Sequence, residues 1–273
     1  MRRVAALAAL LVLAAGCGGS GGDKSADTTT GSSNGSGPNP VAEAAANTTK
    51  AGGLKIDFEI AGPGVHGGGR GAFEAGNTGK GRLAMTFQTN GQATTMDTIV
   101  DGPTLYMRSP VFAQLIPAGK EWVRLDLAKL ASAEGVDLGS LVDSNASPSS
   151  ALAYLNGSTG TVRVVGHSKV KGVDTTHYRT TIDLEQAARK AKGSAKRSIR
   201  RVINVAGVRK LPVDVWVGDD GYVRKVVYSQ HSSRNQAAKV TMELYDFGST
   251  VTAGAPPASS VVDFQQLLTP QGG

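Results

Sequence analysis

Cysteine is nearly absent from the chain. Cys17 is the only one, so no intrachain disulfide can form and no thiolate cluster can hold a metal. Aromatic residues make up 5% of the sequence, which gives no stacking platform for sugars or bases. Histidine is sparse. His66, His167, His177 and His231 stand apart, and none forms a metal-binding pair such as H-E-x-x-H. There is no G-x-S-x-G elbow and no Walker loop. His177 alternates with Tyr178 in a strand-like run and reads as a sheet residue rather than a base. Asp219-Asp220-Gly221 lacks the spaced oxygen ligands of a calcium loop and reads as a hairpin turn. Neither catalysis, a metal nor a cofactor is expected from these residues. Long apolar runs are missing as well. Val4 to Ala15 falls short of the roughly 20 residues that a membrane-spanning helix needs.

That short run instead has the order of a secretion signal. Arg2 and Arg3 precede it, and small residues close it. Leu13-Ala14-Ala15-Gly16-Cys17 resembles the lipobox of bacterial lipoproteins, although Ala14 stands where a branched residue is usual. The resemblance implies cleavage after Gly16, acylation of Cys17 and a place on the outer face of the cell membrane. Residues 1–16 are then a signal peptide. Residues 17–40 are a lipidated cysteine with a Gly/Ser tether that has almost nothing to bury. Residues 41–273 are long enough for one sizeable domain, and no internal repeat or second low-complexity break divides them.

Within that domain, Asn39-Pro40 predicts a helix start and Gly52-Gly53 a stop. Leu54, Ile56, Phe58 and Ile60 alternate strictly with Lys55, Asp57 and Glu59, the signature of a half-buried strand. A Gly-rich stretch from Gly62 to Gly81 follows, with a short strand expected only around Ala72 and Phe73. Leu83, Met85 and Phe87 alternate again before the Asn90-Gly91 turn, and strands are expected at 94–100 and 104–108. Residues 127–133, 138–142 and the segment opened by Ser147-Pro148 read as short helices. Strands are expected again at 161–165, 169–171 and 175–183. The longest helix is expected over 184–205, with one apolar stripe and an interruption at Gly193. Residues 213–217, 222–230 and 238–245 read as a closing meander. The fold class is α+β: a curved antiparallel sheet, a half-barrel, with helices packed on one face.

Charge is lopsided. The chain carries +7, and about +6 remains on the domain once Arg2, Arg3 and the tether are set aside. An exported basic domain meets little nucleic acid, so its electrostatic partner is the anionic membrane surface or wall polymer beside it. Arg189, Lys190, Lys192, Lys196, Arg197, Arg200 and Arg201 crowd the polar side of the 184–205 segment. They read either as a solvated face or as a surface drawn to anionic lipid, with Lys196, Arg197, Arg200 and Arg201 as the contact residues. The two readings are compatible.

The order of these features resembles the LppX/LprG group of actinobacterial lipid-binding lipoproteins, which share the LolA-like half-barrel. The matching pieces are the lipobox, the Ala-rich first helix, Leu54–Ile60, Val100-Asp101-Gly102-Pro103-Thr104-Leu105-Tyr106, Trp122, Gly166–Tyr178, Leu211–Val217 and Val223-Arg224-Lys225. The resemblance implies an apolar cavity between sheet and helices that holds the acyl chains of a lipid or glycolipid. Leu54, Ile56, Phe58, Leu83, Met85, Phe87, Met96, Leu105 and Met107 are the residues expected to line it, since acyl chains ask for aliphatic and thioether surface without directed polar groups. A filled core would use the same residues. The expectation is therefore a lipid carrier, with a surface interaction or sensor lipoprotein of filled core as its rival; the sequence identifies no protein partner.

Overall fold

The computed structural model of the protein describes residues 39–75, 79–89, 91–126, 152, 154, 155, 158, 161–231 and 237–268. The expected signal peptide, Cys17, nearly all of the expected tether and the helices expected over 127–150 lie outside these residues.

Asn39 does what its place before Pro40 predicts. Its side chain accepts hydrogen bonds from the amides of Val41 and Ala42, capping α1 (Pro40–Thr49). The chain then runs into β1 (Gly53–Gly62), β2 (Val65–Glu74), β3 (Lys80–Thr89), β4 (Gln92–Asp101), β5 (Thr104–Arg108) and β6 (Trp122–Asp126), all joined as an antiparallel meander. A second meander follows: β7 (Arg163–Val170), β8 (Val173–Asp183), β9 (Lys210–Gly218), β10 (Val223–His231) and β11 (Ala237–Tyr245). Helices α2 (Leu184–Lys190) and α3 (Gly193–Ala206) connect β8 to β9. Pairing of β1 with β11 fuses the two meanders into one open sheet of order β12-β6-β5-β4-β3-β2-β1-β11-β10-β9-β8-β7.

Three expectations are corrected. The Gly-rich stretch is a full ten-residue strand, β2, rather than a short one. Gly67, Gly69 and Gly71 sit opposite Phe87, Met85 and Leu83 on β3, and aromatic rings fill the space their missing side chains leave. A Cβ on Gly67 would stand 2.4 Å from the Phe87 ring, and one on Gly69 2.8 Å from the Phe58 ring. The expected long helix is two helices. Ala191 (ψ 151°) and Lys192 (ψ 163°) are extended, so the apolar stripe turns a corner before Gly193. Nor is the sheet wholly antiparallel. The last described segment adds β12 (Val261–Asp263), parallel to β6, and the short α4 (Phe264–Leu268). A three-residue β12 leaves little exposed ladder at that edge of the sheet.

Because paired residues share a face, the register sorts the side chains into two sides. One side carries the main core. Leu54, Ile56, Leu83, Val213, Val215, Val226 and Leu244 pack with Val41, Ala44 and Ala45 of α1, Leu184, Ala187 and Ala188 of α2, Ile199 and Ile203 of α3, and helical Leu152 and Leu155. This is the inner face. At the far edge Met107, Val123, Leu125 and Val262 continue it into a smaller cluster with Phe112 and Phe264.

The sheet's two ends differ. The β1–β2 and β3–β4 turns and the α2–α3 connection lie at one, here the connection end. The β4–β5, β7–β8 and β9–β10 turns lie at the other.

Thr48 pins α1 to this frame. Its hydroxyl donates to the Ala44 carbonyl at 2.7 Å and accepts from the Val223 amide at 2.9 Å, with no exposure to solvent. Thr48→Val keeps the shape and strands the buried Val223 N–H. It is expected to lower unfolding stability by about 1–3 kcal/mol, read as a shifted urea midpoint at unchanged slope.

Candidate functional site

All nine residues expected to face acyl chains lie on the inner face. Met242, Phe58, Gly69, Met85 and Met96 form one continuous cross-strand row, running β11-β1-β2-β3-β4. The register extends it through Val226 and Val215 to Tyr178. Val240, Ile60, Gly67 and Phe87 form the next row toward the connection end. Leu83 and Met107 lie in the row through Ile56 and Thr98 on the other side, and Leu105 in the row through Leu54, Phe73 and Val100. Sequence reasoning missed Met242, Tyr178 and Val226. Their relation to Phe58 exists only through the β1–β11 pairing, although Val240, Met242 and Leu244 alternate as plainly as Leu54 to Ile60.

Burial divides this face along its length. On β1, β2 and β3, Leu54, Ile56, Phe73 and Leu83 are buried, whereas Phe58, Ile60, Met85 and Phe87 are only half-buried. Met96 and Met242 are half-buried as well. On β1–β4 the apolar surface is thus buried toward the far end and only half-buried toward the connection end. It is also uncharged over most of the sheet: among the described residues of β1–β6, β9 and β11, no inner position holds Asp, Glu, Lys or Arg. Tyr228, opposite Val240, stays neutral too, because burial and then neighbouring Tyr154 push its hydroxyl up to about 12. Such a surface offers dispersion contact and exclusion of water, with adaptable thioethers where fit must vary.

The outer face is the opposite in chemistry. Trp216 stacks on His177 at 3.9 Å, and Lys225 lies over the Trp216 ring at 5.5 Å. Lys225 also reaches Glu243 at 3.0 Å. Lys171, in the β7–β8 turn, meets Glu243 at 3.5 Å, pairs with Asp57 and lies over Tyr245 at 4.7 Å. His177 Nε2 meets Asp214 Oδ1 at 2.7 Å, and the same oxygen accepts from Arg179 at 2.9 Å. His177 is therefore a sheet residue held by its neighbours. An open depression of about 480 Å³ between Thr95, Asp97, Arg108 and the 109–121 loop is outward on β4, since Thr95 and Asp97 flank inward Met96. Among the described residues no group of His, Cys, Asp and Glu is placed to hold a metal.

The expected membrane-contact residues sit on α3 and beside it. Lys196, Arg197 and Arg200 are exposed, as are Arg189, Lys190, Lys192, Arg209 and Lys210; the side chain of Arg201 lies outside those described. The acid in this stretch is Glu185, which stands 4.0 Å from Arg200 and 3.6 Å from Arg209. Helix α3 has no acid in its first turn and no side-chain cap at Lys192, so the positive end of its dipole is reinforced instead of offset.

No family model matches the chain. It is 32% identical over 162 residues to an uncharacterized 31.2 kDa protein of Streptomyces griseus, covering 57% of this chain and 52% of that one. It is 29% identical over 167 residues to a Streptomyces coelicolor protein named a presumptive lipoprotein, covering 59% and 48%. The chain therefore spans about half the length of the curated relatives it matches. In three dimensions it is similar to LprF of Mycobacterium bovis, with a TM-score of 0.50 at 14% identity over 80% of this chain and 95% of LprF. LppX, a lipoprotein of Mycobacterium tuberculosis, superposes at a TM-score of 0.47 with 14% identity, over 79% of this chain and 98% of its own. The chain has the open half-barrel fold of LprF, the fold that the resemblance to the LppX/LprG group implies.

The outer-face network carries its own pH dependence. Burial works to raise the Asp57 carboxyl, but hydrogen bonds from the Lys171 ammonium and the Tyr245 hydroxyl outweigh it and hold Asp57 below its ordinary 3.8. Folded Asp57 thus binds a proton less tightly than in the unfolded chain. Its stabilisation is complete above the unfolded value and disappears as pH falls through the folded one. Lys171→Met is expected to cost under about 1 kcal/mol near neutral pH, since the pair is partly solvated. The gap from wild type should narrow as pH falls below the ordinary 3.8 and close once pH is below the lowered folded value, followed as urea midpoints across the acid range.

Proposed function

We propose that this protein is a lipoprotein, anchored on the outer face of the cell membrane through acylated Cys17, that shelters the acyl chains of a lipid or glycolipid against the inner face of its sheet. The observation that carries this reading is the half-buried, uncharged row Met242–Phe58–Met85–Met96 with Phe87 and Ile60 beside it. A finished core would bury these side chains as it buries Leu54, Ile56 and Leu83. Here Gly69 leaves room in the middle of the row, and the Phe58 ring spreads over it. Each methylene removed from water against such a surface contributes about 0.8 kcal/mol, so two acyl chains need no polar anchor to be held. The chemistry asks for no cofactor and no catalytic group. Two further facts support the reading without establishing the ligand: a relative carries a lipoprotein name, and the half-barrel is the LprF fold.

Two measurements test it. The chain carrying Cys17→Ser is expected to leave the membrane fraction and to lose incorporation of labelled palmitate; continued membrane retention of an unlabelled protein counts against the anchor. The same variant, purified without detergent, is expected to retain lipid in native mass spectrometry. Met85→Trp, which fills the row, should reduce that occupancy several-fold while the urea midpoint moves little. A preparation that carries no lipid and takes none up from vesicles, with Met85→Trp changing only stability, would favour the filled-core interaction protein.

A further inference from the structure

The connection end of the sheet collects three features that arise from different parts of the chain. The first is the half-buried part of the inner face. Phe58, Ile60, Met85 and Phe87 are half-buried there, while the same strands are buried toward the far end. The second is the basic helix. β8 leaves the sheet at Asp183 and β9 re-enters at Lys210, and these two residues are paired. Helices α2 and α3 join them, and Glu185, two residues beyond Asp183, stands 4.0 Å from Arg200 and 3.6 Å from Arg209, which brings the basic stretch of α3, with Lys196, Arg197 and Arg200 exposed, to the connection end.

The third is the point where the tether joins. The C-terminal end of α1 lies at the far end, where Thr48 bonds Val223 at the start of β10. Its N-terminal end lies at the connection end, where Asn39 Nδ2 donates to the Ser158 carbonyl at 2.7 Å and Ser158 bridges to Ile182, next to Asp183. The segment bearing Cys17 therefore enters the domain beside the basic helix.

We infer that the connection end is the membrane-docking surface: the domain stands on anionic lipid through α3, with the half-buried part of its inner face turned to the bilayer. Docking this way lets an acyl chain leave the bilayer without crossing bulk water, because the charged residues touch headgroups while the uncharged strand positions face the hydrocarbon below them. The tether agrees with this geometry, since an anchor joined at the connection end lets that end approach lipid with no need for the chain to wrap round the domain. The orientation rests on the acyl-chain reading for its purpose and shares with it the half-buried strand face; the basic helix and the point where the tether joins are independent of it.

The test uses the chain carrying Cys17→Ser, which has no other cysteine, and vesicles of phosphatidylcholine alone or with phosphatidylglycerol. Binding is expected only to the anionic vesicles and to weaken with salt. Lys196→Gln combined with Arg200→Gln should weaken it on the order of 10-fold or more. Lys80→Gln with Lys169→Gln, the same charge removed at the far end, should change it less than about two-fold. In the same background, an environment-sensitive dye at Gln92→Cys beside the β3–β4 turn should shift to the blue on docking, and one at Lys80→Cys should not. Equal loss from both charge pairs, or equal dye response at both positions, would overturn the orientation. Lipid loaded from detergent is expected to stay bound in the Lys196/Arg200 variant. A docking failure and a lipid-binding failure are thus read separately.

Discussion

The pairing of β1 with β11 joins residues as distant as Asp57 and Tyr245, 188 positions apart, and it is the contact on which the molecule depends. Each meander on its own is a run of local hairpins, cheap to close. Neither has a complete inner face. Ile56 opposite Leu244 and Phe58 opposite Met242 make the two halves continuous, and α1 packs over the neighbouring β9 and β10, fixed there by Thr48. A slip of one residue in this ladder would put Lys55 and Asp57 among the core residues and Leu54 and Ile56 in water. The outer network opposes such a slip from the other side. Asp57 is tied to Lys171 of the β7–β8 turn and to Tyr245, so charge and apolar packing select the same register.

Glycine in β2 sets the second constraint. A strand interior with Gly67, Gly68, Gly69 and Gly71 loses side-chain packing and carries extra backbone entropy on folding. It is sustained because its neighbours supply what it lacks: Phe87, Phe58, Leu83 and Phe73 cover the bare backbone. A Cβ at Gly69 or Gly71 would also approach the carbonyl oxygens of Ala84 and Arg82 to 2.3 and 2.4 Å. Side chains are excluded there by the path of the neighbouring strand as well as by the rings. The result is a sheet with a low, smooth stretch in the middle of its inner face, flanked by thioethers.

How much of this was legible in the sequence follows from the range of the forces involved. Strict alternation identified β1 and β3, and the Asn90-Gly91 turn located β4; Leu54, Met85 and Met96 could be assigned to one side because strand parity and tight turns are local properties. The turn at Asp219-Asp220-Gly221 was legible for the same reason. The strand β2 was not, since nothing local marks a glycine run as extended; its conformation is imposed by β1 and β3. The break at Ala191-Lys192 was also hidden. Both residues suit a helix, and only the need to pack two short stripes on the sheet separates them. Strand β12 has no local signal either, and its parallel pairing with β6 spans more than a hundred residues. For the candidate surface, the residue types and their parity were legible. The row that unites them, and its partial exposure at one end, were consequences of register.

Helix α3 departs from what stability alone would select. Its stripe of Ile199 and Ile203 is buried, yet its first turn lacks an acid, its N-cap is a lysine with no capping bond, and like charges stand three and four apart along its exposed side. Each of these is unfavourable by a few tenths of a kcal/mol to about 1 kcal/mol in an isolated domain. On the outer sheet face Lys55, Lys169, Lys171, Lys225 and Arg108 each have an acid within reach. An uncapped, acid-free first turn on a helix rich in exposed bases is a local cost that the buried Ile199 and Ile203 stripe has to offset. An anionic surface next to that helix would lower the repulsion among its bases and offset the missing first-turn acid. In the proposed docking, the features that cost the helix stability in the isolated domain are the ones that favour contact with an anionic surface.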